Sequence, residues 1–214
     1  MRFRDRTHAG ELLADAVEAL GLPDPVVFGL ARGGVAVAAP IAAALGVPLD
    51  VIVVRKVGAP AQRELAIGAV AEGGVTVVDT DLLAAVGIPE ARFLELADVE
   101  RVELERRVAR FHPTGARHDL LGRDVVIVDD GLATGSTAEA AVESVRMRKP
   151  RRVVLAVPVA AAASLDRLRG EADEVVVLHR PDAFGSVGEW YDDFRQVGDD
   201  DVSALLIDPS MHRP

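Results

Sequence analysis

The sequence predicts an α/β fold, a mostly parallel central sheet with helices on both faces. Three observations carry that expectation. Short Val-rich runs alternate with Ala- and Leu-rich helical patterns along the chain. Several of the Val-rich runs are apolar at every position, as strands buried on both faces require. Gly and Pro punctuate the junctions, where strand-to-helix turns need them.

The elements follow in order. Leu12, Leu13, Ala16, Val17 and Leu20 recur at helical spacing, and Gly21 with Pro23 stops that helix. Val26 to Leu30 reads as a buried strand, residues 35 to 45 as a helix closed by Gly46 and Pro48, and Leu49 to Val54 as the next strand. Leu65 to Ala71 and Val75 to Asp79 read as strands joined through Glu72-Gly73-Gly74, a hairpin signal. Pro89 can open a long charged helix reaching about Arg110, and Pro113 ends it. Val125 to Asp129 is a strand, with a helix from near Ser136. Arg152 to Val157, Ala161 to Arg169 and Glu174 to Leu178 read as strand, helix and strand. A polar irregular stretch from Arg180 to Asp201 precedes a last short helix. The expected organisation is a single domain with its core at about 25–180, a helical insertion at about 81–118 and a tail at about 180–214. In such sheets ligands bind at the carboxyl ends of the strands, so the loops after Leu30, Val54, Asp129, Val157 and Leu178 are where a site is expected.

Composition excludes several classes. The 214 residues suffice to bury a sizeable core without staples, and there is no Cys to supply one. Twenty-four basic against 34 acidic residues give a net charge of −10, a poor match to nucleic acid or to a membrane surface. Met1 to Arg6 runs into a polar helix pattern rather than an apolar signal core, so a reducing cytoplasm is the expected compartment. The phosphate-loop lysine motif, the Gly-x-Gly-x-x-Gly fingerprint and the nucleophile elbow are all missing, and the five histidines show no metal-ligand spacing.

The chemistry concentrates in Val125-Val126-Ile127-Val128-Asp129-Asp130-Gly131-Leu132-Ala133-Thr134-Gly135-Ser136-Thr137. A buried strand delivers two adjacent carboxylates to a Gly-containing loop and then to hydroxyl residues at a helix start. Glycine allows the tight turns that aim successive N–H groups one way, and a helix N-terminus adds unpaired donors. Together these form an anion cradle for a phosphate monoester. A phosphate alone would be repelled by Asp129 and Asp130, whereas a vicinal diol offers two O–H donors to acceptor-only carboxylates. Acids beside a phosphate cradle thus suggest a ribose 5-phosphate, and the same acids can help hold Mg²⁺, directly or through water.

This segment resembles the 5-phosphoribosyl 1-diphosphate (PRPP) motif of type I phosphoribosyltransferases, and the other pieces of the chain fall in that family's order. The resemblance implies a PRTase-like fold with a small hood-like tail and a helical insertion. It implies that Asp129 and Asp130 bind the ribose hydroxyls and that Gly131 and Ala133 to Thr137, including Thr134, Gly135 and Ser136, hold the 5-phosphate. Some purine members carry an acid at the Ala133 position; this chain has Ala, as adenine- and uracil-type members do. The family also implies a Mg²⁺ cofactor, PRPP and a small base as substrates, and a homodimer.

The supporting loops are read in the same light. Gly29-Leu30-Ala31-Arg32-Gly33-Gly34 follows the first strand; two glycines permit close backbone approach, and Arg32 can fork onto a phosphate. By resemblance, Arg32 and Gly33 would hold the diphosphate. Lys56 is one of only two lysines beside 22 arginines, and its position at the end of the second sheet strand favours the same group. The segment from Gly58 to Glu64 could shape a neighbouring loop. The family carries a mobile loop before the motif strand; Arg117 and His118 are the candidates for it, while Arg106 and Arg107 read as a solvated helix face. Phe184, Trp190, Tyr191 and Phe194 are four of the eight aromatics and fall within eleven residues. With Pro181-Asp182, Val187-Gly188 and Asp192, this stretch looks like the base-stacking segment of 6-oxopurine members. Phe184, Trp190, Tyr191 and Asp192 are the candidate base contacts.

The expected function is Mg²⁺-dependent phosphoribosyl transfer from PRPP to a nitrogenous base, purine-like if the tail is a guide. The alternative is a PRPP-sensing regulator that keeps the site without the reaction. A third reading, the acidic strand of an ATPase, lacks its phosphate-loop lysine motif.

Overall fold

The computed structural model describes residues 1–115 and 117–207, with backbone only at Arg63 and Glu64. The C-terminal end of the expected tail, 208–214, and the Glu64 side chain therefore lie outside the described residues.

Asp5 caps the first helix, α1 (Arg6–Glu18), by accepting from the His8 N–H at 2.8 Å. Strand β1 (Val26–Leu30) leads into α2 (Gly33–Leu45), which Gly46 ends in the left-handed conformation. Strand β2 (Leu49–Ile52) follows, then β3 (Val54–Ala59), β4 (Gln62–Ala71) and, after a 3-10 turn at Glu72–Gly74, β5 (Thr76–Val78). Helices α3 (Thr80–Val86) and α4 (Glu90–Phe111) come next, with Pro89 at the N-cap of α4. Then come β6 (Asp124–Val128), α5 (Ser136–Arg146), β7 (Arg152–Val159), α6 (Ala162–Leu168), β8 (Glu174–His179), a 3-10 turn (Val187–Trp190) and α7 (Asp199–Ile207).

The main sheet has the order β2-β1-β6-β7-β8, and every pairing in it is parallel. Successive side chains of a strand face opposite sides. Val27, Val51, Val126, Val128, Val154 and Ala156 thus meet Leu13, Val17, Ala38 and Ala42 from α1 and α2. Phe28, Val125, Ile127, Val153 and Leu155 meet Ala138, Ala141, Val142 and Val145 from α5 and Leu165 and Leu168 from α6. These two cores account for the fully apolar runs in the sequence. The expected α/β class, with helices on both faces, is the observed one.

The sequence reading of Leu49 to Val54 as one strand needs correction. The Val53 N–H is taken by Glu72 Oε1 at 2.8 Å, which interrupts the ladder there. Beyond it the chain turns into a separate antiparallel sheet, β3-β4-β5, against which α4 packs. The hairpin read through Glu72-Gly73-Gly74 is its β4–β5 half.

Candidate functional site

The carboxyl ends of β1 and β6 lie side by side, because Gly29 pairs with Val128. This brings the loops 31–34 and 129–135 together. The approach is so close that a Cβ on Gly34 would lie 2.4 Å from the Val128 carbonyl oxygen, and one on Gly33 2.0 Å from Asp130 Oδ2. The motif loop is also tied from below: the Leu132 N–H donates to Val159 O at 2.9 Å, and the Ser164 hydroxyl donates to the Ala133 carbonyl. Gly135, at φ 84°, makes the left-handed turn into α5, whose first N–H groups have no side-chain cap. These donors and the positive end of the helix dipole are left for an anion.

Ten of the residues singled out in the sequence line one cavity of about 320 Å³: Arg32, Gly33, Lys56, Asp129, Asp130, Gly131, Ala133, Thr134, Gly135 and Thr137. Ser136 is the exception in the cradle. Its side chain is buried, with its hydroxyl 3.5 Å from that of Thr134. A second cavity of about 480 Å³ shares Arg32, Gly33, Lys56 and Thr137 with the first and adds Arg6, Arg55 and Arg107. Five cations therefore gather beside the cradle in a chain of net charge −10. Arg6 pairs with Asp130, Arg55 with Glu100 and Arg107 with Glu103, and Arg32 lies 3.6 Å from Asp199. Among the described residues Lys56 makes no close ion pair, and its charge acts at longer range on Asp129 and Asp130.

The acids are electrostatically unusual. Burial, and then the neighbouring Asp130, push Asp129 up to about 8. Burial also raises Asp130, against the lowering effect of Arg6. The pair thus holds a proton more tightly than two free carboxyls would. A folded-state value above the unfolded one means the native state binds more protons between about pH 4 and 8, so this contribution to stability declines as pH rises through that window. Asp129→Asn removes the buried charge but keeps an Oδ1 acceptor for the Asp130 N–H, which Asp129 now bonds at 2.9 Å. The variant is expected to melt a few degrees above wild type at pH 8, about 1–3 kcal/mol, with the gap narrowing toward pH 5. Thermal unfolding across that range checks it, and a gap independent of pH would refute the assignment of burial as the cause.

Several placements correct the sequence reading. Lys56 is not at the end of the second sheet strand but inside β3, which leans over the cradle. Tyr191 is 2% exposed and offers no open face: its hydroxyl donates to the Asp130 carbonyl at 2.7 Å, and its ring meets Phe3 and Phe194. Burial raises its phenol well above the ordinary value, which keeps it a donor. Trp190 packs on His179 and Phe184, with centroids at 4.8 and 6.5 Å. Asp192 pairs with Arg2 on the surface. The tail aromatics are thus spent mainly on one another; Phe194 and Val187, which belong to the same segment but are not among the candidate base contacts, line the cavity. Arg117 and His118 do not reach the cradle. Arg117 pairs with Glu72, and the His118 carbonyl accepts from Arg148 beyond the C-terminal end of α5, far from the helix start that forms the cradle. Of the α4 arginines, Arg106 is exposed as expected, but Arg107 is 16% exposed and faces the second cavity.

Arg6 is the main residue the sequence left out. It donates through Nε and Nη2 to Asp130 Oδ2, both at 2.8 Å, across a separation of 124 residues. No local pattern announces a contact of that span.

A divalent ion finds little protein ligation. Among the described residues no group of three His, Asp or Glu converges, and one oxygen of Asp130 is committed to Arg6. Asp129 and the remaining Asp130 oxygen could contribute only part of the octahedral oxygen shell that Mg²⁺ requires, and the rest would have to come from outside the protein. No described helix is long and apolar enough to cross a membrane.

Comparison with known proteins agrees with this geometry. The family model described as "Phosphoribosyl transferase domain" matches residues 6–194. Two curated relatives from Mycobacterium tuberculosis, strains CDC 1551 / Oshkosh and ATCC 25618 / H37Rv, bear provisional phosphoribosyl transferase names. Each is 45% identical over 204 residues, covering 95% of this chain and 46% of the relative. The chain therefore spans about half the length of those curated relatives. The crystal structure of TT1426 from Thermus thermophilus is 50% identical, with a TM-score of 0.81, covering 97% of this chain and 98% of that one. The AQ2163 protein from Aquifex aeolicus shares the fold at 14% identity and a TM-score of 0.50, covering 82% of this chain and 72% of that one. From Arg6 in the first helix to Phe194 at the edge of the cavity, this chain belongs to the phosphoribosyl transferase domain family.

Proposed function

We propose that the protein transfers a 5-phosphoribosyl group from PRPP to a nitrogenous base and releases pyrophosphate. The observation that carries this reading is the convergence of two acids, an uncapped helix start and the Lys56 ammonium on one cavity. The N–H groups at the start of α5, with the hydroxyls of Thr134 and Thr137, hold the 5-phosphate. Asp129 and the free Asp130 oxygen accept from the ribose hydroxyls. Arg32 and Lys56, with Arg107 across the second cavity, face the diphosphate. The nitrogen lone pair forms the new bond at the anomeric carbon as the bond to the diphosphate oxygen breaks, and the electron pair leaves with pyrophosphate. The two carboxylates sit where positive charge develops on the sugar, and the cations where negative charge develops on the leaving group. Mg²⁺, when bound, would add neutralisation of the diphosphate, held by Asp129 and Asp130 together with substrate oxygens.

One observation favours the second reading, a PRPP sensor. Tyr191 and Trp190 are packed internally, and Phe194, the tail aromatic that lines the cavity, already carries the Arg6 guanidinium on its ring. Pyrophosphate release with a panel of purine, pyrimidine and small amine acceptors separates the two. An enzyme releases pyrophosphate with at least one acceptor, whereas a sensor binds PRPP in calorimetry and releases none above background. No PRPP binding with excess Mg²⁺ would reject both.

A further inference from the structure

The first helix sends one side chain into the motif. Two donors of Arg6 converge on Asp130 Oδ2, and its Nη1 donates to the Arg195 carbonyl at 2.8 Å. Its guanidinium carbon lies 3.9 Å from the centroid of the Phe194 ring. The side chain is 12% exposed, held by a carboxylate, a carbonyl and an aromatic face. The backbone around it is fastened as well. The Phe3 N–H donates to Trp190 O, and the Asp192 N–H donates to Phe3 O, both at 2.8 Å. A guanidinium fixed on so many sides stays with its acid rather than exchanging into solvent.

Two consequences follow for the acid pair. Asp130 Oδ2 is occupied, and Asp129 Oδ1 accepts the Asp130 N–H, so one oxygen of each carboxylate remains for a ligand. Arg6 at contact distance cancels one of the two charges of the ionised pair, and Lys56, at longer range in the same cavity, lowers the remaining field further. A divalent cation is drawn by charge, and a guanidinium at hydrogen-bond distance from the pair subtracts from that attraction. A neutral diol asks instead for lone pairs in fixed directions, and Arg6 supplies the fixing.

We propose that Arg6 is a positioning residue that sets the Asp129–Asp130 pair to accept the substrate's hydroxyl groups and to hold a bare divalent cation only weakly. The inference rests on the ribose 5-phosphate reading of the site, and its test has one arm independent of that reading.

In the first arm the free protein is titrated with Mn²⁺, and unbound ion is read by electron paramagnetic resonance at pH 8.5 under argon. In the second arm PRPP is titrated by calorimetry in excess Mg²⁺. Arg6→Gln is expected to bind Mn²⁺ roughly tenfold more tightly than wild type and PRPP roughly tenfold more weakly. Arg6→Lys keeps the charge but not the paired contact, so its Mn²⁺ affinity should stay within about twofold of wild type while PRPP weakens. A merely structural arginine would weaken both ligands together. That result, or unchanged Mn²⁺ affinity in a folded Arg6→Gln, overturns the proposal. Should Arg6→Gln fail to fold, unchanged PRPP affinity in Arg6→Lys overturns it instead. If wild type binds no PRPP, the functional reading fails, and the Mn²⁺ arm still decides whether Arg6 opposes the cation.

Discussion

Asp129→Asn combined with Asp130→Asn is expected to lower PRPP binding and turnover by at least ~10²-fold with the fold intact. Each Asn matches its Asp in shape, and the Asp130 N–H keeps an Oδ1 acceptor at residue 129. What changes is the face offered to the sugar. Carboxylates become amides whose NH₂ donors oppose the donors of the diol, and the negative charge of the pair beside the anomeric carbon is gone. Stability should move little, because relief of the buried charge on Asp129 offsets the loss of the ionic partner of Arg6. Calorimetric titration and pyrophosphate release measure the loss, and a melting temperature within a few degrees of wild type shows that the loss is chemical. Near-normal PRPP turnover in the folded double variant would end the assignment of these two acids to the ribose.

The parts of the molecule legible in the sequence are those whose cause is local or periodic. Val125 to Val128 had to be a buried central strand because no residue in it tolerates water, and Gly135 had to turn the chain because it stands between a loop and a helix start. Pro89 and Gly46 marked helix ends through their own backbone limits. The cradle was readable for the same reason: its residues are contiguous. The break at Val53 was hidden, because the Glu72 side chain that causes it comes 19 residues later. The tail was legible only in part for a similar reason. Four aromatics in a polar segment look like a ligand platform when read alone, but Tyr191 is buried against Phe3, from the other end of the chain. Arg107 reads as a solvated charge, and Arg6 carries no site signal, until the fold brings both to the cavity. Contacts made by charges across a hundred residues carry no periodic signal, and those are the contacts that distinguish this site from a bare motif.

Gly33 and Gly34 are expected to fail differently when each is changed to alanine, although they are adjacent. Neither needs the left-handed region; both are glycine because something stands where a Cβ would be. At Gly34 the obstacle is backbone, the Val128 carbonyl oxygen at 2.4 Å and Asp129 Cα at 3.0 Å, so α2 or the end of β6 has to move. Overpacking against a central strand costs about 1–3 kcal/mol, and in a chain of this length that lowers the melting temperature by several degrees. At Gly33 the obstacle is a side chain, Asp130 Oδ2 at 2.0 Å with Arg6 Nε at 3.0 Å. The carboxylate can rotate away, so the fold is largely spared, but rotation breaks its pairing with Arg6 and turns the free oxygen from the diol. Gly33→Ala should therefore stay within about 3 °C of wild type and bind PRPP at least roughly tenfold more weakly. Thermal unfolding and PRPP titration on both variants check the contrast. If Gly33→Ala binds PRPP normally, Asp130 does not need the position that Arg6 and the glycine give it, and the reading of the acid pair as a fixed diol acceptor is wrong.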